Sequence, residues 1–151
     1  MSWREALKDE HGFTLIEVLI TIVLIGMVMA IASSTWFGAI ESRRVDSATN
    51  QLVSDLRLAH SKATNRLLPQ TVELSAGSSE YVTGTGNRDL DDASDDDLVS
   101  VEEDSTIVFS PDGGAQVTGA NPIRVQSTND TTNKFHRIDV NTVTSRIKID
   151  P

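Results

Sequence analysis

Apolar residues run almost unbroken from Phe13 to Ala32, with Thr14, Glu17 and Thr21 as the polar exceptions. In a helix, twenty residues span roughly 30 Å, the thickness of a bilayer core. After a short stretch at 33–38, apolar positions recur at Val45, Ala48, Leu52, Val53, Leu56, Ala59 and Ala63. Steps of three and four place these on one helix face. Leu67-Leu68-Pro69 closes the pattern, because proline disfavours helix in the residue before it. The pattern predicts one helix from about Thr14 to Arg66, roughly 80 Å long at 1.5 Å per residue.

From Gln70 onward the spacing changes to short strands and turns. Strands are expected at Thr71–Leu74, Glu80–Thr83, Thr106–Phe109, Ala115–Thr118, Ile123–Gln126, Phe135–Val140 and Val143–Ile149. Asn141-Thr142 reads as a tight hairpin, and Ser110-Pro111-Asp112-Gly113-Gly114 as a turn. Residues 84–97, rich in Gly, Asn and Asp, read as loop, and an acidic loop is expected over 86–104. A helix followed by an antiparallel sheet is an α+β arrangement.

Glu17 is the anomaly in the apolar run. A carboxylate at bilayer depth costs several kcal/mol unless paired. Three readings of residues 1–32 compete. A secretory signal has a shorter apolar stretch, although Ala30-Ile31-Ala32 mimics its cleavage site. A plain single-pass anchor leaves Glu17 unexplained. In the third reading the chain is cut after Gly12, which frees the amine of Phe13 one helical turn before Glu17, on the same chain or on a neighbour.

The string Gly12-Phe13-Thr14-Leu15-Ile16-Glu17-Val18-Leu19 resembles the processing site of type IV pilins and type II secretion pseudopilins. That signature is a Gly, then Phe or Met, then apolar residues with Glu fifth after the cut. The resemblance implies a prepilin peptidase that cuts between Gly12 and Phe13 and methylates the Phe13 amine, with Glu17 serving assembly. It implies a pilin-like fold: leader 1–12, a transmembrane or filament-core helix 13–35, an amphipathic continuation 36–68 and a β-rich head 69–151. Lys and Arg are balanced around the span, so the positive-inside rule gives no orientation. The resemblance places the leader in the cytoplasm, the helix in the bacterial inner membrane and the head outside.

The stretch Leu52–Leu74, the string Ile107-Val108-Phe109-Ser110-Pro111-Asp112-Gly113-Gly114 and the closing Arg137–Val140 and Ser145–Ile149 are similar to the GspH/FimT group of minor pseudopilins. This similarity implies a minor subunit that helps initiate or cap a filament, with other pilin or pseudopilin subunits as partners. The alternative is a competence-type FimT-like subunit that binds DNA during uptake. Some FimT-like proteins bind DNA through a C-terminal Gly-Arg-x-Arg string; the corresponding positions here are Ser145-Arg146-Ile147-Lys148, with Ser in place of Gly and Lys in place of the second Arg. Arg124, Lys134 and Arg137 extend that patch if the strands align. Beyond residue 105 there are five basic and four acidic residues, so the patch is small, and solubilising charges on an edge strand are the competing reading.

The formal charge is −9, and nine of the 22 acidic residues fall between Asp89 and Asp104. That balance opposes general nucleic-acid binding. Asp91, Asp92, Asp95 and Asp96 supply the hard oxygen ligands that calcium takes, but the segment lacks EF-hand order; a solvated loop is the simpler expectation. There is no cysteine, which excludes disulfides and thiolate metal sites. His11, His60 and His136 are scattered, no hydrolase elbow or phosphate loop is present, and neither enzymatic activity nor a cofactor is expected.

Overall fold

The computed structural model describes residues 13–90, 98–128 and 134–150, with backbone alone for 34–37. The chain divides after Phe37 into two compact units. Helix α1 covers Leu15–Arg66, in agreement with the predicted span. Thr14 caps it: its hydroxyl oxygen and its carbonyl both accept from the Glu17 N–H, at 3.3 and 3.1 Å. A threonine at this position satisfies an orphan donor of the first turn.

In the first unit every residue of 13–33 is exposed. The segment contains a helix long and apolar enough to cross a membrane. No described side chain in it has a core to enter, so its apolar surface is that of a helix meant for lipid or for other helices.

In the second unit, all seven apolar positions of the helical pattern, Val45 to Ala63, are buried. Nine strands follow: β1 (Gln70–Leu74), β2 (Glu80–Thr83), β3 (Gly86–Asp89), β4 (Val99–Val101), β5 (Ser105–Phe109), β6 (Ala115–Gly119), β7 (Ile123–Ser127), β8 (Phe135–Val140) and β9 (Ile147–Asp150). They form two antiparallel sheets, ordered β3-β2-β1-β5-β6 and β4-β7-β8-β9. The helix face meets Val72, Tyr81, Ile107 and Phe109 of the first sheet and Val125, Ile138 and Val140 of the second in one core. The α+β class is as expected, but the single sheet becomes two. The chain changes sheet three times, into and out of β4 and finally between β6 and β7. There Asn121 Nδ2 donates to the Val140 carbonyl at 2.9 Å, and Asn121 Oδ1 accepts from the Val140 N–H at 3.1 Å.

Three local expectations are corrected. First, the loop expected over 84–97, and with it the acidic loop over 86–104, contains β3 and β4. The strand β3 pairs with β2 from Thr83↔Gly86 to Glu80↔Asp89. Its sequence Gly-Asn-Arg-Asp has no strand signal; pairing and side-chain ties to the helix override propensity. Second, all three residues of β4 are buried, which explains a run that does not alternate. Third, the last strand starts at Ile147, not Val143. The connection is not a tight turn, because Asn141 Oδ1 accepts from the N–H groups of Val143 and Thr144, at 3.0 and 2.8 Å. Such an Asx turn competes with strand pairing and leaves Val143 82% exposed.

At its C-terminal end α1 stops at Arg66, and Leu67 takes φ 54°, a left-handed position where glycine is the usual residue. Gly119 ends β6 at φ 98°, and a Cβ there would lie 2.3 Å from the Asp104 carbonyl oxygen. Only glycine fits this approach.

Candidate assembly site

The predicted site residues fall in two places. At the head of α1, Phe13 is 79% exposed and Glu17 sits in the first turn, also exposed. Gly12 lies outside the described residues. Thr14 at the cap and Glu17 three residues later form the residue pair of a capping box. Sequence reasoning missed this role, although the Thr-x-x-Glu signal before an apolar run was legible. An acidic side chain in the first turn also complements the positive end of the helix dipole. Glu17 thus has a local reason to stand at the start of the helix, besides the ion pair that its apolar surroundings call for.

The second place is the outer face of the second sheet. Arg124 and Arg137 are register partners across β7 and β8. Both guanidinium groups lie over the Phe135 ring, at 4.0 and 5.2 Å from its centre. At these distances the ring face attracts each cation. Arg124 Nη1 also pairs with Glu102 Oε2 at 2.7 Å. On β9, Lys148 pairs with Asp150 at 2.9 Å, and Asp139 is its register partner. Arg146 is exposed in the preceding loop. The strands therefore do bring Arg124 and Arg137 together, but among the described residues Glu102, Asp139 and Asp150 interleave with them and Lys148. Lys134 turns away to the helix, where its Nζ lies 2.9 Å from Asp46 Oδ1 and donates to Ser42 Oγ at 2.6 Å. The candidate calcium ligands Asp91, Asp92, Asp95 and Asp96 lie outside the described residues.

Two polar clasps, neither read from the sequence, fasten the helix to the sheets. On one side, Tyr81 donates its hydroxyl to Asp55 Oδ2 at 2.5 Å and Arg88 Nε donates to the same oxygen at 3.1 Å. Burial, and then the Asp55 carboxylate beside it, push the Tyr81 hydroxyl up to about 12. Gln51 Nε2 also donates to the Asp89 carbonyl at 2.6 Å. On the other side, His136 Nε2 lies 2.5 Å from Asp46 Oδ1, and Ser127 donates to Glu41. Lys134, and then His136, hold the Asp46 carboxyl below the usual range. These partners are 26 to 90 residues apart in sequence, so no local pattern announces them. The helical histidine, His60, packs edge-on to Phe109 and faces the Gly113 carbonyl at 3.3 Å.

Among the described residues no group of three His, Asp or Glu side chains is placed to hold a metal ion. Comparison with known proteins gives two family matches. Residues 7–33 match the prokaryotic N-terminal methylation motif, and residues 48–144 match the type II transport protein GspH. No curated protein and no solved structure matches the chain. The methylation motif covers the exposed apolar helix, and the second match covers the amphipathic half of α1 and eight of the nine strands. This is the make-up of a pilin or pseudopilin subunit, a family of structural components. The chain is a type IV prepilin-like protein and belongs to the GspH family.

Proposed function

We propose that the protein is a minor pseudopilin or pilin subunit that helps initiate or cap a filament of a type II secretion or type IV pilus machine. A prepilin peptidase cuts it between Gly12 and Phe13 and methylates the Phe13 amine. The leader is 1–12, the membrane or filament-core helix 13–35, its amphipathic stem 36–68 and the head 69–151. The helix crosses the inner membrane once and the head lies on its outer side. After assembly, Glu17 pairs with a Phe13 amine and sets the register between neighbouring helices.

One observation carries this reading. A capped helix begins at Leu15 with every residue through Ser33 exposed and a single carboxylate in that stretch, one turn after Phe13. Such a surface is stable in lipid or against other apolar helices, and the carboxylate needs a cation in either setting. Mass spectrometry of the protein recovered from its host tests it. The expected species begins at a methylated Phe13; a chain that retains Met1 while anchored overturns the reading.

A further inference from the structure

The two sheets have four edges, and three of them are guarded. The edge β3 carries Arg88 and Asp89, and Gln51 caps the Asp89 carbonyl. The edge β4 is covered by the β1–β2 turn: Gly77 N–H donates to the Val101 carbonyl at 2.8 Å, and Val101 N–H donates to Ser78 at 3.2 Å. The edge β9 carries the Lys148–Asp150 pair. Proteins protect exposed edges in these ways, because a bare edge templates pairing with another chain.

The fourth edge, β6, is tied by a loop only at its first residue, and among the described residues nothing guards the rest of it. Its sequence Ala115-Gln116-Val117-Thr118-Gly119 has no charge and no proline. The β5–β6 ladder is flanked by bonds from Ser110 N–H to the Gly114 carbonyl and from Ala120 N–H to the Asp104 carbonyl. Antiparallel alternation then turns the backbone of Gln116 and Thr118 toward β5, and that of Ala115, Val117 and Gly119 outward. The Ala115 N–H donates to the Thr142 carbonyl at 3.2 Å. No described residue pairs with the outward N–H and carbonyl groups of Val117 and Gly119. At this end Ser145 also donates to the Gly113 carbonyl at 2.6 Å, so β6 lies beside the connection that leads into β9. The inward side chains of these two edge strands, Val117 and Ile149, are only partly buried against the core.

We propose that β6 is a strand-pairing edge that receives an extended, uncharged strand from another subunit of the same filament. Backbone groups alternating outward along an uncharged edge are satisfied by extended backbone, and pairing of this kind supplies affinity through main-chain hydrogen bonds. A partner strand's apolar side chain would complete the burial of Val117. This inference rests on the proposed assembly role.

The chain has no cysteine, so Gln116→Cys gives a single thiol on the exposed face of β6. In host cells with the machinery intact, a benzophenone maleimide on that thiol is expected to cross-link to another pilin subunit. Adding Val117→Pro removes an outward N–H without removing a ladder bond, and adding Thr118→Lys guards the edge with a charge. Each is expected to lower adduct yield at least tenfold while the melting temperature of the purified chain stays close to that of Gln116→Cys alone. Unchanged yield in whichever variant keeps its melting temperature, or an adduct only between two copies of this chain, overturns strand pairing. So does the absence of an adduct in cells where the chain is processed to Phe13 and enters filaments. An unprocessed chain that enters no filament overturns the assembly role, and the edge proposal with it.

Discussion

His136 and Asp46 join strand β8 to helix α1 across 90 residues of sequence, with Nε2 2.5 Å from Oδ1. A carboxylate only accepts, so Nε2 carries the proton. The same carboxylate takes Lys134, and together these contacts hold the β7–β8 hairpin against the start of the stem.

The pH response follows from the direction of the Asp46 shift. Its carboxyl in the folded chain titrates below the ordinary aspartate value of 3.8. The stabilisation is therefore present above pH 3.8 and is lost as pH falls below it through the folded value. The Asp46 side chain is 44% exposed, so screening limits the effect to about 0.5 kcal/mol. Asp46→Asn is expected to lower stability by that amount at pH 6 and by almost nothing at pH 2, measured by urea unfolding. Added salt shrinks the difference.

Tyr81 gives a second, sharper titration because it is the only tyrosine. Phenolate absorbance of the folded chain is expected to rise near pH 12 rather than 10. A folded value above the unfolded one means that the contribution is complete below pH 10 and is lost between pH 10 and about 12. Tyr81→Phe takes the hydroxyl donor from Asp55 and is expected to cost about 1–2 kcal/mol at neutral pH. Chemical unfolding measures it.

Leu56 has no exposed surface, whereas Leu58 two residues on is 49% exposed. Leu56→Ala is expected to destabilise the head by about 2–5 kcal/mol through lost transfer energy and a cavity. Leu58→Ala is expected to change stability by less than about 0.5 kcal/mol. Equal losses in thermal unfolding would contradict the placement of the helix face.

Leu67 offers a gain. At φ 54° a leucine carries about 1 kcal/mol of backbone strain that glycine does not, and its side chain is 72% exposed. Leu67→Gly is expected to be neutral or to stabilise by up to about 1 kcal/mol, after the entropy of glycine in the unfolded chain is subtracted.

For the proposed assembly role, Glu17→Ala is expected to leave cleavage after Gly12 intact and to reduce filament incorporation by about tenfold or more, since an uncompensated charge in an apolar interface costs several kcal/mol. Gly12→Ala or a bulkier residue is expected to slow or block processing. Immunoblots of leader removal and of sheared filaments separate the two effects. Normal incorporation of Glu17→Ala would remove the pairing argument.

The sequence alone determined the helix. A continuous apolar run followed by steps of three and four is a local signal, and Leu15–Arg66 with its buried face Val45 to Ala63 matches it residue by residue. The Thr14 cap was equally local and equally readable. What the tertiary structure decided was everything that depends on distant partners. Gly86–Asp89 became a strand because β2 and the helix were there to receive it. The β-region split into two sheets, and Val143 turned outward because the Asn141 side chain took the local backbone donors. Arg124 and Arg137 met over Phe135 only through strand register. Periodicity reports which face is buried; it carries no information about which strand lies opposite, and that pairing is what leaves β6 as the unguarded edge.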